Sequence, residues 1–398
     1  MQNKNLVIGT FSLVSIGLLI AIFYSPIWWV SLKAPQYPEA SFPQGIRIHF
    51  HVNKVDNGCK KVESEEKYEE EALNCKHEMD AINHYVGMYP IAAGAPVERA
   101  VSPFVFVLLG LMIIAFALPN RKQKMAFMGI GSIAIAGWAY TTLYSEDGLK
   151  QQSAPYRDDL MSTMELTPNE IEGWSGVDAI KASYEEALAR YFPTIAVECD
   201  RYANQMTYVD LYATQDRPFE ELNDLLANAG ANSSIMETFH QLYDKIKSDP
   251  TMTAEQQQQE FMQRCEVMSN KVGMTDVERS ALMMQITDIV FIGLLGAMLL
   301  IIVGLWKMEN AFNWVLILVP MALPIFFILD YAGWLWWFGH HLSEMGAFTV
   351  KPFMPTVFGV GKVAQFATYS YPNYGFGLIM LNSVVLAVAA LIHLKSNR

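Results

Sequence analysis

DYAGWLWWFGHHLSEMGAFTVKPFMPTVFGVGKVAQFATYSYP, residues 330–372, leaves a hydrophobic segment through an aromatic run and meets a histidine pair at His340 and His341. The run is Trp334, Trp336, Trp337 and Phe338; Met345 and Met354 follow, and a Pro- and Gly-punctuated loop leads into another hydrophobic segment. Tryptophans so placed mark a membrane–water interface, with the ring at headgroup depth and its N–H reaching water. The loop is therefore expected against a membrane surface, with imidazole and thioether groups just above it. Such neutral donors suit soft copper, Cu(I) above all. The plainer alternative is an interfacial loop whose histidines hydrogen-bond headgroups or backbone.

Composition widens this to the whole chain. Of 398 residues, 52% are hydrophobic and 17% charged, with 22 Met and 9 Trp. At ~150 residues per unit the length alone gives two or three soluble domains. Several apolar runs exceed the ~18 residues that read as a membrane span, and they overrule that count. A net charge of -12 makes nucleic acid a poor partner. The four cysteines show no CxxC, CxxCH or zinc spacing. No Walker loop, GxSxG, HExxH or GxGxxG occurs, so no standard enzyme is indicated and no catalytic residue is assigned.

The fold class expected is mainly α: a polytopic membrane protein with about six transmembrane helices, a small mixed periplasmic segment and a helical periplasmic insert. Residues 1–29 hold the first helix, LVIGTFSLVSIGLLIAIFYS at 6–25, read as uncleaved and anchored at its far end by Trp28 and Trp29. Residues 30–100 form the periplasmic segment. Its prolines enforce an extended start, and IRIHFHV alternates like a half-buried strand, placing His49 and His51 on one face. The acidic run at 63–71 reads as a solvated helix face. INHYVGM then sets His84 and Met88 four residues apart, one turn if helical.

Residues 101–143 supply spans at 101–119 and 125–143, and 144–283 form the acidic helical insert. Capping signals recur there: Ser175 before Asp178, Pro218, Ser234 before Glu237 and Thr275 before Glu278, with Gly230 and Gly273 as stops. Residues 284–337 supply spans at 284–305 and 311–337, the second kinked by Pro320 and Pro324, with the ionisable Asp330 near its end. Residues 338–374 are the His/Met loop, and 375–398 hold the sixth span and a tail. Lys4, Arg121, Lys122, Lys124, Lys307, Lys395 and Arg398 flank one side of a six-span alternation. That side is cytoplasmic by the positive-inside rule, so both termini face the cytoplasm of a bacterial inner membrane and the large loops are periplasmic. Cysteines on an oxidising face should pair, and of three connectivities Cys59–Cys75 with Cys199–Cys265 is the expected one.

WWVSLKAPQYP (28–38), INHYVGM (82–88), GHHL (339–342) and VKPFMPTVFGVGK…F.TYSYP (350–372) together resemble a group of small bacterial membrane proteins. Members carry APQYPEGL, LNHYIGM and YGHNLD segments and a VPGM…PP..G.K loop, and are often encoded near copper chaperones and nitrous oxide reductase maturation genes. The resemblance implies periplasmic copper handling. It matches His84 and Met88 to NHYxGM, His340 to GH, and Met354 and Lys362 to the last loop. It covers roughly 26–143 and 310–375, not the insert. PEASFPQG departs from PEGL, the cysteine loop at 59–75 is extra, and His341 stands where the group has Asn.

The function expected is copper binding at the periplasmic face, for delivery to or assembly of a copper enzyme. His84, Met88, His340, His341 and Met354 are the leading donors and His49 and His51 a second set, with Asp330 or Tyr85 orienting them. The partners implied are membrane lipid and a periplasmic or membrane copper protein or complex. The alternative is a structural accessory subunit of a larger membrane enzyme complex, such as a copper-dependent oxidase, monooxygenase or reductase. A transporter reading has only the Pro320/Pro324 kink to rest on.

Overall fold

The computed structural model describes residues 2–60, 73–89, 91, 95–191, scattered positions between 245 and 263, 276–342, 351–363 and 365–396. Its long helices are α1 (Gln2–Phe23), α3 (Pro96–Ala117), α4 (Arg121–Tyr144), α7 (Asp276–Lys307) and α10 (Tyr374–Ser396). These five are long and apolar enough to cross a membrane, and the bent pair α8 (Glu309–Met321) and α9 (Leu323–His340) would make a sixth span. The expected spans thus correspond to observed helices. The sequence also anticipated the break: the pair bends by 58° at Ala322. Pro320 and Pro324 lack the N–H groups that would carry the ladder through.

In the bundle α1 packs on α10 and α3, α3 on α4 and α8, and α7 on α4 and α8. Inside it the core is apolar, centred on residues such as Phe104, Met112, Ile113, Met128 and Leu316. Outside, Leu13, Ile130, Ile133, Ile289, Leu329 and Leu391 are exposed. A belt of large aliphatic side chains of this kind is what lipid solvates and water does not. Some polar groups in the bundle are paired across helices. Ser15 donates to Asn382 at 2.5 Å, joining α1 and α10. Buried Lys124 donates to Asn313, which lies 3.1 Å from His393 Nε2. Lys124 is therefore folded into the bundle end.

At the other end lies a five-stranded antiparallel sheet in the order β3-β2-β1-β5-β4. Its strands are β1 (Trp28–Lys33), β2 (Ile46–Phe50), β3 (Val55–Asn57), β4 (Gly359–Val363) and β5 (Phe366–Pro372). Only β2 was expected. The sequence reads Trp28 and Trp29 as an anchor, SLK as the start of an extended path and 338–374 as a loop, yet β1 and β5 pair from Trp28↔Pro372 to Lys33↔Ala367. The two strands are at opposite ends of the chain, so no local pattern announces their partnership. Trp28 is accordingly 2% exposed, not an interface anchor. Its indole N–H donates to Ser370 Oγ at 2.8 Å, and its ring sits among Phe327, Tyr331 and Phe376.

One sheet face buries Leu32, Ile46, Ile48, Val55 and Phe366 against α2 (Cys75–Tyr85), which presents Cys75, Met79 and Ile82 at helical spacing. Cys59 and Cys75 stand at disulfide distance, Cα atoms 5.9 Å apart; Cys199 and Cys265 lie outside the described residues. Of the insert, α5 (Ala154–Met164) and α6 (Gly176–Tyr191) are described and are helical as expected. The cap before α6 closes in both directions. Ser175 Oγ accepts from the Asp178 backbone N–H at 3.1 Å, and Asp178 Oδ2 accepts from the Ser175 N–H at 3.0 Å. The signals at Pro218, Ser234, Thr275, Gly230 and Gly273 fall outside the described residues. Asp159 of α5 ties the layers together, pairing with Lys76 of α2 and Arg99 of α3, each at 2.7 Å, with all three side chains largely buried.

Candidate functional site

The aromatic run 334–338 continues α9 to its last turn, where side-chain donors near the C-terminus can add a second hydrogen bond to a carbonyl. His340 Nδ1 lies 2.8 Å from the Trp336 carbonyl and His341 Nδ1 lies 3.0 Å from the Trp337 carbonyl. A carbonyl only accepts, so each Nδ1 carries a proton, and in the neutral ring the lone pair is then on Nε2. Each ring also stacks on the tryptophan four residues back, centroids 4.5 Å apart for Trp336–His340 and 4.7 Å for Trp337–His341. Both histidines are exposed. The result is two neighbouring imidazoles, each oriented from behind, with Nε2 unengaged among the described residues.

Two other motif segments gather at this corner. The Phe353 N–H donates to the Gly339 carbonyl at 3.0 Å, which docks KPFMP on the end of α9. Met354, the next residue, is 47% exposed. INHYVGM ends α2: Gly87 takes φ 77° and the Met88 N–H returns to the Asn83 carbonyl at 2.8 Å. This left-handed turn is a helix stop. It sends Met88, 4% exposed, inward to a cluster with Tyr89 and Phe338, flanked by Trp334, Trp337 and Phe353. Met88 therefore leaves the helix instead of lying one turn beyond His84 on a common face. His84 is in the last turn of α2; its side chain, that of Tyr85, and Met345 lie outside the described residues.

His49 and His51 are set apart from this corner, on the sheet. His51 Nε2 lies 2.9 Å from Asp56 Oδ2, and its side chain is 5% exposed. His49 sits beside Arg47, whose guanidinium lies 3.9 Å over the Trp29 ring. Burial, with Arg47 adding to it, pushes the His49 pKa down to about 4. Burial would raise Asp56, but hydrogen bonds from His51 and Lys54 prevail and hold it at about 2. Among the described residues no group of three or more His, Cys, Asp and Glu is gathered to hold a metal.

Beside the corner a cavity of about 710 Å³ opens between α3, α9 and the β2–β3 turn. Asp330 lines it, together with Glu98, Arg99 and His51. Trp334 Nε1 donates to Glu98 Oε1 at 2.9 Å, joining α9 to the head of α3. Glu98 and Arg99 escaped the sequence reading, although an ionisable pair at the head of an apolar run is itself a signal.

Fold and site together define a helical bundle of candidate membrane spans capped at one end by an antiparallel sheet, with a His/Met corner where sheet and bundle meet. No family model, characterised protein or solved structure matches the chain.

Proposed function

We propose that the chain is a copper-binding protein of the bacterial inner membrane that holds Cu(I) at the α9 corner and passes it to a periplasmic or membrane copper protein. The observation that carries this reading is the matched pair His340 and His341, each with Nδ1 committed to a carbonyl and Nε2 unengaged among the described residues. Two imidazoles with an exposed thioether nearby form a neutral, soft donor set, and such a shallow site releases its ion readily. The motif resemblance to proteins encoded near copper chaperones points the same way. On this reading the sheet end is periplasmic and Cys59–Cys75 is oxidised there.

The test is Cu(I) competition with a chromogenic chelator on the full chain in detergent. His340→Ala with His341→Ala is expected to weaken retention at least tenfold, and Met354→Ala to weaken it less. Unchanged retention in the double variant would overturn the proposal. The stacking of His340 on the exposed Trp336 ring favours a second reading, in which the corner docks a larger membrane enzyme complex. Co-purification of a stoichiometric partner, undisturbed by the same double variant's loss of copper, would select it.

A further inference from the structure

The 710 Å³ cavity has the size of a ligand site and an unusual division of its wall. One part is aromatic, including Phe50, Phe106, Phe326, Phe327, Tyr331 and Trp334. The other part is polar, with His51, Glu98, Arg99 and Asp330. Three atoms of these lining residues are buried without a hydrogen-bond partner: His51 Nδ1, Glu98 Oε2 and Arg99 Nε. Orphaned buried polar atoms are costly, and three around one cavity mark a place where something else completes them. His51 has its other nitrogen held by Asp56, and Arg99 has its terminal nitrogen held by Asp159. The orphans are thus orientated groups, not loose ends. Phe326 and Leu329, on the same wall, are exposed on the apolar flank of α9, so the cavity communicates with the lipid-facing surface.

The missing group must both donate and accept. The Glu98 carboxylate takes a donated hydrogen, whereas Arg99 Nε–H requires an acceptor. A phosphate head fails on charge, because Glu98 and Asp330 repel it and Arg99 is already paired. An ammonium head offers Arg99 nothing. A hydroxyl does both, and the aromatic wall favours one borne on a flat ring.

We infer that this cavity binds a membrane-soluble amphipath whose head is a hydroxylated aromatic ring, of the hydroquinone class, entering from the bilayer. The reduced form is preferred, since the oxidised ring presents only carbonyl acceptors to Glu98 and Asp330. The inference concerns binding alone and stands apart from the copper corner.

The test uses the full chain in lipid nanodiscs titrated with decylubiquinol and with decylubiquinone, read by tryptophan fluorescence against empty discs. Saturable quinol binding at least tenfold tighter than quinone binding is expected. Glu98→Gln should weaken quinol binding about tenfold, the usual scale of one charge-assisted hydrogen bond. Val105→Trp, which fills the lipid-level part of the cavity, should abolish it while copper retention stays unchanged. Uptake no greater than empty discs, an absent preference for the reduced form, or full binding in both variants would each overturn the inference.

Discussion

His49 gives the residue scale its sharpest consequence. Folded, it ionises near pH 4, against an ordinary value of 6.5. Between these values the unfolded chain binds more protons than the folded one, so stability falls as the pH drops from 6.5 to 4. Asp56, held at about 2 against 3.8, extends the loss in the same direction at lower pH. Denaturant melts of the purified protein at pH 7 and pH 4.5 should show this loss, and His49→Gln should remove most of the upper part. A melt as strong at pH 4.5 as at 7 would contradict the burial of His49. The same scale explains which histidines are open to ligands. Each of the three has one nitrogen held, His51 by Asp56 and His340 and His341 by backbone carbonyls, but His51 is buried while His340 and His341 are exposed.

At the scale of elements, Gly339 decides how the KPFMP segment seats on α9. A Cβ there would meet the Phe353 carbonyl oxygen at 2.0 Å, and that atom is backbone that cannot swing aside. Gly339→Ala is expected to lift the segment, cost about 1–3 kcal/mol, and raise hydrogen exchange at residues 351–357 without disturbing α3 or α4. Asp159 makes the opposite prediction. Replacing it with Ala strands Lys76 and Arg99 as buried charges, and a loss of about 3 kcal/mol is expected in thermal or denaturant unfolding. A loss below about 1 kcal/mol would mean that water reaches the pair.

For the whole molecule the ordering of helix ends sets one testable constraint. The Lys124–Asn313–His393 group gathers the α4, α8 and α10 ends that lie away from the sheet. Reporter fusions at Gln123 and Asn310 should therefore agree with each other, and by the basic-residue rule they should both report cytoplasm. A periplasmic signal at both would invert the proposed compartments and remove the oxidising setting for Cys59–Cys75. Disagreement between the two would break the six-span scheme itself.

What the sequence determined by itself is what depends on local chemistry. Apolar runs of bilayer length specified the helices, Pro320 and Pro324 specified the bend, and Ser175 with Asp178 specified a cap. Each of these rests on a backbone hydrogen bond or a solvent preference within a few residues. Of the candidate site, the His340/His341 pair was legible because both residues ride on α9's own last turn. The remainder waited on tertiary structure. The β1–β5 ladder joins the two ends of the chain; it seats the β4–β5 hairpin in the sheet and, with Phe327, Tyr331 and Phe376, buries Trp28. Met88 was read as a surface donor, but the Gly87 turn and the packing of α9 send it inward. Glu98 and Arg99 of α3, Asp330 of α9 and His51 of the β2–β3 turn are put around one cavity only by the packing of those three elements. Long-range contacts of this kind have no period or spacing for a sequence to display, because their partners are chosen by how the elements pack.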